Sequence, residues 1–266
     1  MSHASSTSLD GYDFVDFGAS ERSYNDIAVV QLGGRKGLGV DVDPRKVTQM
    51  RELGYDCMAG DIIRLGMAPG AVRFVTMSHV LEHLPDLQSV SLAIRQAEQV
   101  ATDFLLIQGP YFDADDALAK RGLKFYWSDW HGHTCHLTTH QLVDVLRELG
   151  LRDYVLTAHG RVLGSDDPCI HPLCPPRDQH AYRADVHPAK PEVAFEPPHF
   201  HKPVYREFVC LVRLRDFAGW RRILHARGDG TWLDGTVGTS GAYRWQQLSR
   251  HWPVVGRRWV NRLRRL

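Results

Sequence analysis

The sequence predicts an α/β fold with a doubly wound, mostly parallel sheet of seven strands. Short apolar runs of strand length alternate with longer segments whose apolar residues recur at helical spacing. Glycine, proline or aspartate separates most of these segments. Such alternation is typical of parallel strands joined by crossover helices. The length of 266 residues is enough for one large domain with an appendage.

The first half of the chain supplies four strands and three helices. Each of the first two strands ends at an aspartate or a glycine, and the helix after the second strand begins with a proline in its first turn and closes at a glycine. The third helix carries apolar residues three and four positions apart. The predicted strands are 12–17, 36–42, 55–58 and 73–77, and the predicted helices are 23–31, 44–53 and 87–100.

The second half of the chain adds three strands, one helix and two long insertions. The helix opens with a threonine cap and closes at a glycine, and the last strand is a clear apolar run. The predicted strands are 104–108, 154–156 and 208–214, and the helix is 138–149. Residues 110–137 and 160–206 break the alternation, and loops of that length in a compact domain are typical of lids over a substrate site. We therefore predict a main domain over 1–215.

Residues 216–266 form a predicted basic C-terminal extension. It holds ten arginines, three acidic residues and no lysine. Basic residues interleaved with tryptophan are compatible with a nucleic acid or a membrane surface as partner. An arginine-rich helix docked on an acidic neighbouring subunit, as in a homodimer, is the other interpretation. We favour the docked helix and keep nucleic acid as the alternative.

Composition places the chain among ordinary globular proteins. Apolar residues make up 43% of it, and five cysteines, an odd number, stand at scattered positions. No apolar run approaches the ~20 residues that span a bilayer, and the start lacks the basic and apolar regions of a secretion signal. The expected location is the cytoplasm.

Acidic residues and a glycine stand at the ends of three successive strands. Asp16 and Gly18 stand at the end of the first strand, Asp41 at the end of the second, and Asp61 after the third. A glycine in the first turn lets the backbone approach a nucleoside closely, an acid after the second strand can accept both ribose hydroxyls, and an acid after the third can accept from an adenine amino group.

These motifs resemble those of class I S-adenosylmethionine-dependent methyltransferases over residues 12–215. The resemblance matches Gly18 to the first glycine of their first motif, and residues 76–84 look like their fourth motif. One departure is Ser20, which stands where the family has a glycine. The resemblance implies S-adenosylmethionine as cofactor and a Rossmann-like methyltransferase fold. The implied cofactor-binding residues are Asp16, Gly18, Ser20, Asp41, Asp61, Ile62 and Ser78.

Three potential metal ligands lie directly after the fourth strand, at His79, Glu82 and His83. If the chain turns helical after Ser78, the two imidazoles stand one turn apart with the carboxylate between them. The pattern resembles a metal-dependent O-methyltransferase branch that has Glu-x-x-Glu-His here and a further histidine later. That register matches His133 to the later ligand, with His136 as its competitor.

The resemblance favours Mg, whereas a nitrogen-rich ligand set suits Mn or Zn as well. A metal lowers the pKa of an alcohol, which is roughly 15, and a neutral histidine can then accept the proton. His136 is the expected base, and His131 and His140 are the alternatives. Four of these seven metal and base candidates come from one short histidine-rich stretch, 131–140.

The predicted function is divalent-metal-dependent O-methylation of a hydroxyl on a sugar or oligosaccharide. The chain is similar to the methylmannose-polysaccharide 1-O-methyltransferase type. Tyr126, Trp127 and Trp130 either stack on a sugar face or pack the lid down. A terminal 2′-O-methyltransferase of RNA and a catalytically inert binding protein with the cofactor-type fold are the alternatives.

Overall fold

A computed structural model of the chain describes residues 8–173, 200–228 and 230–235. The last part of the basic extension, from 236, and most of the second predicted lid, 174–199, lie outside the described residues. In the part of the chain that is described, no helix combines the length and the apolar character that crossing a membrane requires.

The main sheet has eight strands in the order β10-β7-β9-β5-β4-β1-β2-β3. Strands β1 to β5 pair in parallel, β9 lies antiparallel between β5 and β7, and β10 pairs antiparallel with β7 at the edge. The strands of this sheet are β1 Phe14–Phe17, β2 Gly37–Asp41, β3 Cys57–Ala59, β4 Val72–Ser78, β5 Ala101–Pro110, β7 Tyr154–Val162, β9 Val204–Arg213 and β10 Thr231–Gly235.

The α/β, doubly wound architecture is therefore confirmed, but the predicted count of seven strands is wrong. The eighth strand is Thr231–Gly235, which lies in the segment assigned from the sequence to the basic extension. Its pairing with β7 is irregular between Trp232 and Asp234, so the strand lacks the uniform alternation that a sequence pattern needs. The helix before it, Trp220–Arg227, also packs on the sheet.

Helices cover both faces of the main sheet. One face carries a π-helix, α1 and α5, packed on stacked Phe14, Phe74 and Phe104 with ring centroids 5.2 and 4.8 Å apart. The other face carries α2 and α4. The helices are the π-helix Arg22–Gln31, α1 Pro44–Glu52, α2 Leu87–Val100, α3 Asp115–Ala119, α4 Thr139–Glu148 and α5 Trp220–Arg227.

The two predicted lid segments are joined by a second, two-stranded sheet. Strand β6, Leu123–Phe125, belongs to the first segment and pairs antiparallel with β8, Ile170–Pro172, of the second. Asp113 accepts hydrogen bonds from the backbone nitrogen and hydroxyl of Thr139 at 2.9 and 2.6 Å, which ties the first segment to the start of α4. The described parts of both segments are thus built onto the carboxyl side of the parallel strands.

Candidate functional site

The end of β1 forms a tight turn around a buried carboxylate. Asp16 is fully buried and accepts hydrogen bonds from the hydroxyls of Ser23 and Thr76, both at 2.6 Å. Burial raises the pKa of Asp16 to about 7, although both hydrogen bonds act to lower it. Ser20 is exposed, and its backbone nitrogen donates to the hydroxyl of Ser23 at 2.9 Å.

Gly18 is required by its surroundings. Its φ is +71°, and a Cβ added there would lie 2.5 Å from Cγ2 of Val80. The turn after β1 therefore packs directly against the segment that follows β4. This contact brings the predicted cofactor loop and the predicted metal ligands to the same end of the sheet.

The predicted nucleoside-binding acids lie at the next two strand ends. Asp41 closes β2, is buried, and lies 3.5 Å from the ammonium of Lys46. Asp61 is exposed and accepts from the backbone nitrogen of Ile63 at 3.1 Å, while Ile62 is buried. Both acids follow the strands predicted for them.

Val42 is a residue that the sequence reasoning missed. It follows Asp41 directly, yet 75% of its side chain surface is exposed. An exposed branched apolar side chain beside a buried carboxylate offers an apolar surface on which a planar ring can pack. The signal in the sequence, a valine after the strand-ending acid, is too common to be noticed without the exposure.

The segment after β4 does not turn helical where the spacing predicts it. Ser78 ends β4 and is buried, His79 adopts a left-handed φ of +54°, and a single 3-10 turn, Leu81–His83, follows. The backbone nitrogen of His79 donates to the carbonyl of Gln108 at 2.9 Å, which holds this bend against β5. As a result, His79 and His83 do not share one helical face.

Glu82, His83 and His133 converge. One ligand atom from each lies within 4.8 Å of the others, with Glu82 and His133 buried and His83 exposed. The backbone nitrogen of Cys135 donates to the carbonyl of Glu82 at 3.0 Å, so the histidine-rich stretch is tied to the turn after β4. Three of the four predicted metal ligands are thus brought together.

Hydrogen bonds fix the orientation of both imidazoles in this group. Nδ1 of His83 lies 2.7 Å from the carbonyl oxygen of Gly132, and Nδ1 of His133 lies 2.8 Å from that of Trp127. A carbonyl oxygen only accepts, so in each neutral ring Nδ1 carries the proton and Nε2 carries the lone pair. Metal-ligating histidines are oriented in this way by their second nitrogen.

His79 lies outside the group and is paired with two carboxylates. Its Nδ1 is 3.4 Å from Oε1 of Glu82, and its Nε2 is 3.4 Å from Oε2 of Glu207 on β9. Burial of the ring opposes protonation, but interactions with Glu207 and Glu82 outweigh it and raise the pKa of His79 to about 9. Burial acts to raise the pKa of Glu207, but hydrogen bonds with His79 and Gln108 outweigh it and lower that pKa to about 2.

The other histidines of the stretch lie around the group. His136 stacks on Phe112 with ring centroids 4.4 Å apart, and its Nδ1 lies 3.3 Å from Oδ2 of Asp115. His131 is exposed and lies against Trp130. His140 lies on the outer surface of α4 and pairs with Asp144. Of these three, His136 alone combines an oriented ring with a carboxylate partner among the described residues.

The residues present fit a divalent cation. Oε1 of Glu82 is buried and makes no hydrogen bond among the described residues, although Nδ1 of His79 lies 3.4 Å from it, so this oxygen has room for a stronger partner. Two oriented imidazole nitrogens and this oxygen form a mixed nitrogen and oxygen set that suits Mn or Zn and accommodates Mg. Asp41, Gly18 and exposed Val42 likewise fit a nucleoside at the neighbouring strand ends.

No family model and no curated protein sequence matches the chain. Solved structures do match its fold. A SAM-dependent methyltransferase from Archaeoglobus fulgidus aligns over 77% of this chain and 88% of its own, with 15% identity and a TM-score of 0.50. A Bacillus halodurans protein provisionally assigned as a methyltransferase aligns over 80% and 96%, with 13% identity and a TM-score of 0.50. The chain therefore has the fold of SAM-dependent methyltransferases.

Proposed function

We propose that the protein is an S-adenosylmethionine-dependent, divalent-metal-dependent O-methyltransferase that acts on a carbohydrate hydroxyl. The convergence of Glu82, His83 and His133 carries this proposal. Their donor atoms lie within 4.8 Å of one another at the carboxyl end of β4, where sheets of this kind bind ligands. The methyltransferase fold supports S-adenosylmethionine as the cofactor. The Glu82, His83 and His133 group supports the metal-dependent branch among such enzymes.

The cofactor part of the proposal rests on the ends of β1, β2 and β3. S-adenosylmethionine supplies an electrophilic methyl group on a sulfonium. Gly18 gives the close backbone approach, the Asp41 carboxylate accepts from ribose hydroxyls, and Val42 and Ile62 flank the adenine. Asp61 accepts from the adenine amino group. Residues Asp16, Ser20 and Ser78 shape the turns that hold these groups.

The metal part of the proposal rests on the oriented imidazoles. A bound divalent cation stabilises the alkoxide of the acceptor, whose hydroxyl has a pKa of roughly 15 when free. His83 and His133 present Nε2 because carbonyls hold their Nδ1 protons, and Glu82 supplies the negative charge. His136, oriented by Asp115, accepts the acceptor's proton. We favour Mg, with Mn and Zn as the alternatives.

The carbohydrate part of the proposal rests on aromatic side chains beside the group. Trp130 is half-buried, with its ring centroid 5.4 Å from that of His83 and 4.9 Å from that of His133. Tyr126 and Trp127 follow the short strand β6 in the same segment. Apolar faces beside a cation site would suit a polyol, whose ring would stack on Trp130 and whose hydroxyls the cation would orient.

The test is methyl transfer from labelled S-adenosylmethionine to a panel of mannosides, catechols and short RNAs, each with and without chelator. We expect transfer to a mannoside, loss of activity in EDTA and recovery with added Mg or Mn. Transfer that persists fully in chelator would remove the metal from the mechanism. Absence of transfer to every acceptor, with metal still bound, would favour an inert binding protein.

A matched pair of histidine variants makes the test residue-specific. His83→Ala removes a ligand, whereas His225→Ala removes an exposed histidine on α5. We expect the first to abolish turnover and the second to leave it unchanged. Steep weakening of substrate binding with salt would point instead to RNA as the acceptor, because phosphate contacts release counterions.

A further inference from the structure

A series of polar contacts runs from α5 to the turn after β4. Arg227, the last residue of α5, donates from Nη2 to Oε1 of Gln108, and from Nη1 to Oε1 of Gln31 at 3.0 Å. Gln108 Nε2 donates to Oε2 of Glu207 at 2.7 Å. Glu207 in turn pairs with His79, and His79 pairs with Glu82. The segment that contributes Arg227 follows the last strand of the predicted main domain.

The side-chain amide of Gln108 is held between Arg227 and Glu207. Gln108 is buried, with 1% of its surface exposed, and its amide has one accepting and one donating end. Because Arg227 only donates and the Glu207 carboxylate only accepts, both partners favour the same orientation of the amide. Without the guanidinium the amide would still donate to Glu207, but its buried oxygen would lose the donor that anchors it.

The series of polar contacts ends at Glu82, a buried carboxylate with 2% of its surface exposed. Oε1 of Glu82 makes no hydrogen bond among the described residues, and Nδ1 of His79 lies 3.4 Å from it. His79 itself is held in a left-handed conformation, which a non-glycine residue adopts only when its surroundings require it. The backbone hydrogen bond from His79 to Gln108 holds this bend, and Glu207 contacts the imidazole ring from its far side. The imidazole that contacts Glu82 is thus connected through Glu207 and Gln108 to Arg227 on α5.

We propose that Arg227 is a positioning residue that holds the Glu82 carboxylate in its metal-binding orientation. The inference rests on the proposed function, because it assumes that Glu82 is a ligand. It assigns to α5 a role in the site that the strand-end motifs alone do not contain. Groups that orient metal ligands from outside typically change metal affinity 10- to 100-fold when removed, so the effect is measurable without turnover.

The experiment measures Mn²⁺ binding to the full chain without cofactor, by the electron paramagnetic resonance signal of free Mn²⁺, together with the thermal midpoint. Arg227→Met keeps the aliphatic stem and removes the guanidinium. We expect Mn²⁺ affinity to fall about tenfold, with partial rescue in Arg227→Lys. Arg221→Met, an exposed arginine on the same helix, serves as the matched control and is expected to bind as the wild type does.

Glu207→Gln is a nearly isosteric change that interrupts the same series of polar contacts closer to Glu82. We expect it to weaken Mn²⁺ binding as well. The double variant with Arg227→Met should bind Mn²⁺ within about twofold of the weaker single variant, because both substitutions interrupt the same series of contacts. Equal affinity in Arg227→Met and wild type, or a double variant whose loss is the product of both, would overturn the proposal.

The same titration separates this inference from the proposed function. If the wild-type chain binds no Mn²⁺, the metal site itself is wrong, and the role of Arg227 falls with it. If the wild type binds and both Arg227→Met and Glu207→Gln bind equally well, the metal site stands and only the positioning role is refuted. Should Arg227→Met fail to fold, Glu207→Gln alone decides, since unchanged affinity there contradicts the series of contacts.

Discussion

Replacing Asp16 with asparagine changes how the stability of the fold depends on pH. Burial raises the pKa of this carboxyl to about 7 in the folded chain, whereas an unfolded aspartate titrates near 3.9. The difference corresponds to about 4 kcal/mol. Because the folded state binds the proton more tightly, this stabilisation is complete below about pH 4 and is lost as the pH rises through about 7.

Asparagine has nearly the same shape and does not ionise, and the hydroxyls of Ser23 and Thr76 can either donate to it or accept from it. The free energy of unfolding of the wild type should therefore fall, relative to Asp16→Asn, by about 1.4 kcal/mol per pH unit between about pH 4.5 and 6.5. Urea unfolding followed by tryptophan fluorescence at several pH values measures this slope.

Asp26→Asn, at an exposed position on the π-helix, is the matched control and should give a constant difference from the wild type. Differences between variants cancel the titration of all other groups, including His79 and Glu207. If the stability curves of the wild type and Asp16→Asn run parallel across this range, the buried carboxyl is ionised in the folded chain and the reasoning is refuted.

Gly18→Ala should lower the free energy of unfolding by about 2–4 kcal/mol, because it causes overpacking and left-handed strain. Adding Val80→Ala to this variant should restore part of the loss, and no restoration would mean that the side chains at 18 and 80 do not touch. His83→Ala should abolish turnover, whereas calorimetry should find an S-adenosylmethionine affinity within about twofold of that of the wild type. Lost cofactor binding would show that His83 belongs to the cofactor site instead. Thr138→Ala should cost about 1 kcal/mol in urea unfolding, because it removes the capping box with Gln141, and an unchanged midpoint would contradict that cap.

Local patterns predicted the strand ends well. Asp16, Asp41 and Asp61 follow apolar runs whose strand character depends on a few adjacent residues, and parallel pairing then places their ends side by side. The convergence of His133 with the turn after β4 came from resemblance to a known ligand pattern. Its orientation by the Trp127 carbonyl lies in backbone geometry that the sequence does not display.

The arrangement around His79 could not be predicted from spacing. A helical turn would align His79 with His83, but Glu207, more than a hundred positions later in the sequence, pairs with His79 across the sheet. Contacts between distant strands override a weak local preference. The same reason applies to β10, a short irregular strand that is stabilised by pairing with β7 and carries little pattern of its own.

The most direct test of the proposed metal site is anomalous diffraction from crystals of the full chain soaked in Mn²⁺. We predict a single strong anomalous peak within about 2.0–2.4 Å of Glu82 and of the Nε2 atoms of His83 and His133. A peak coordinated by other residues, or no peak between these three side chains at a Mn²⁺ concentration that supports turnover, would contradict it.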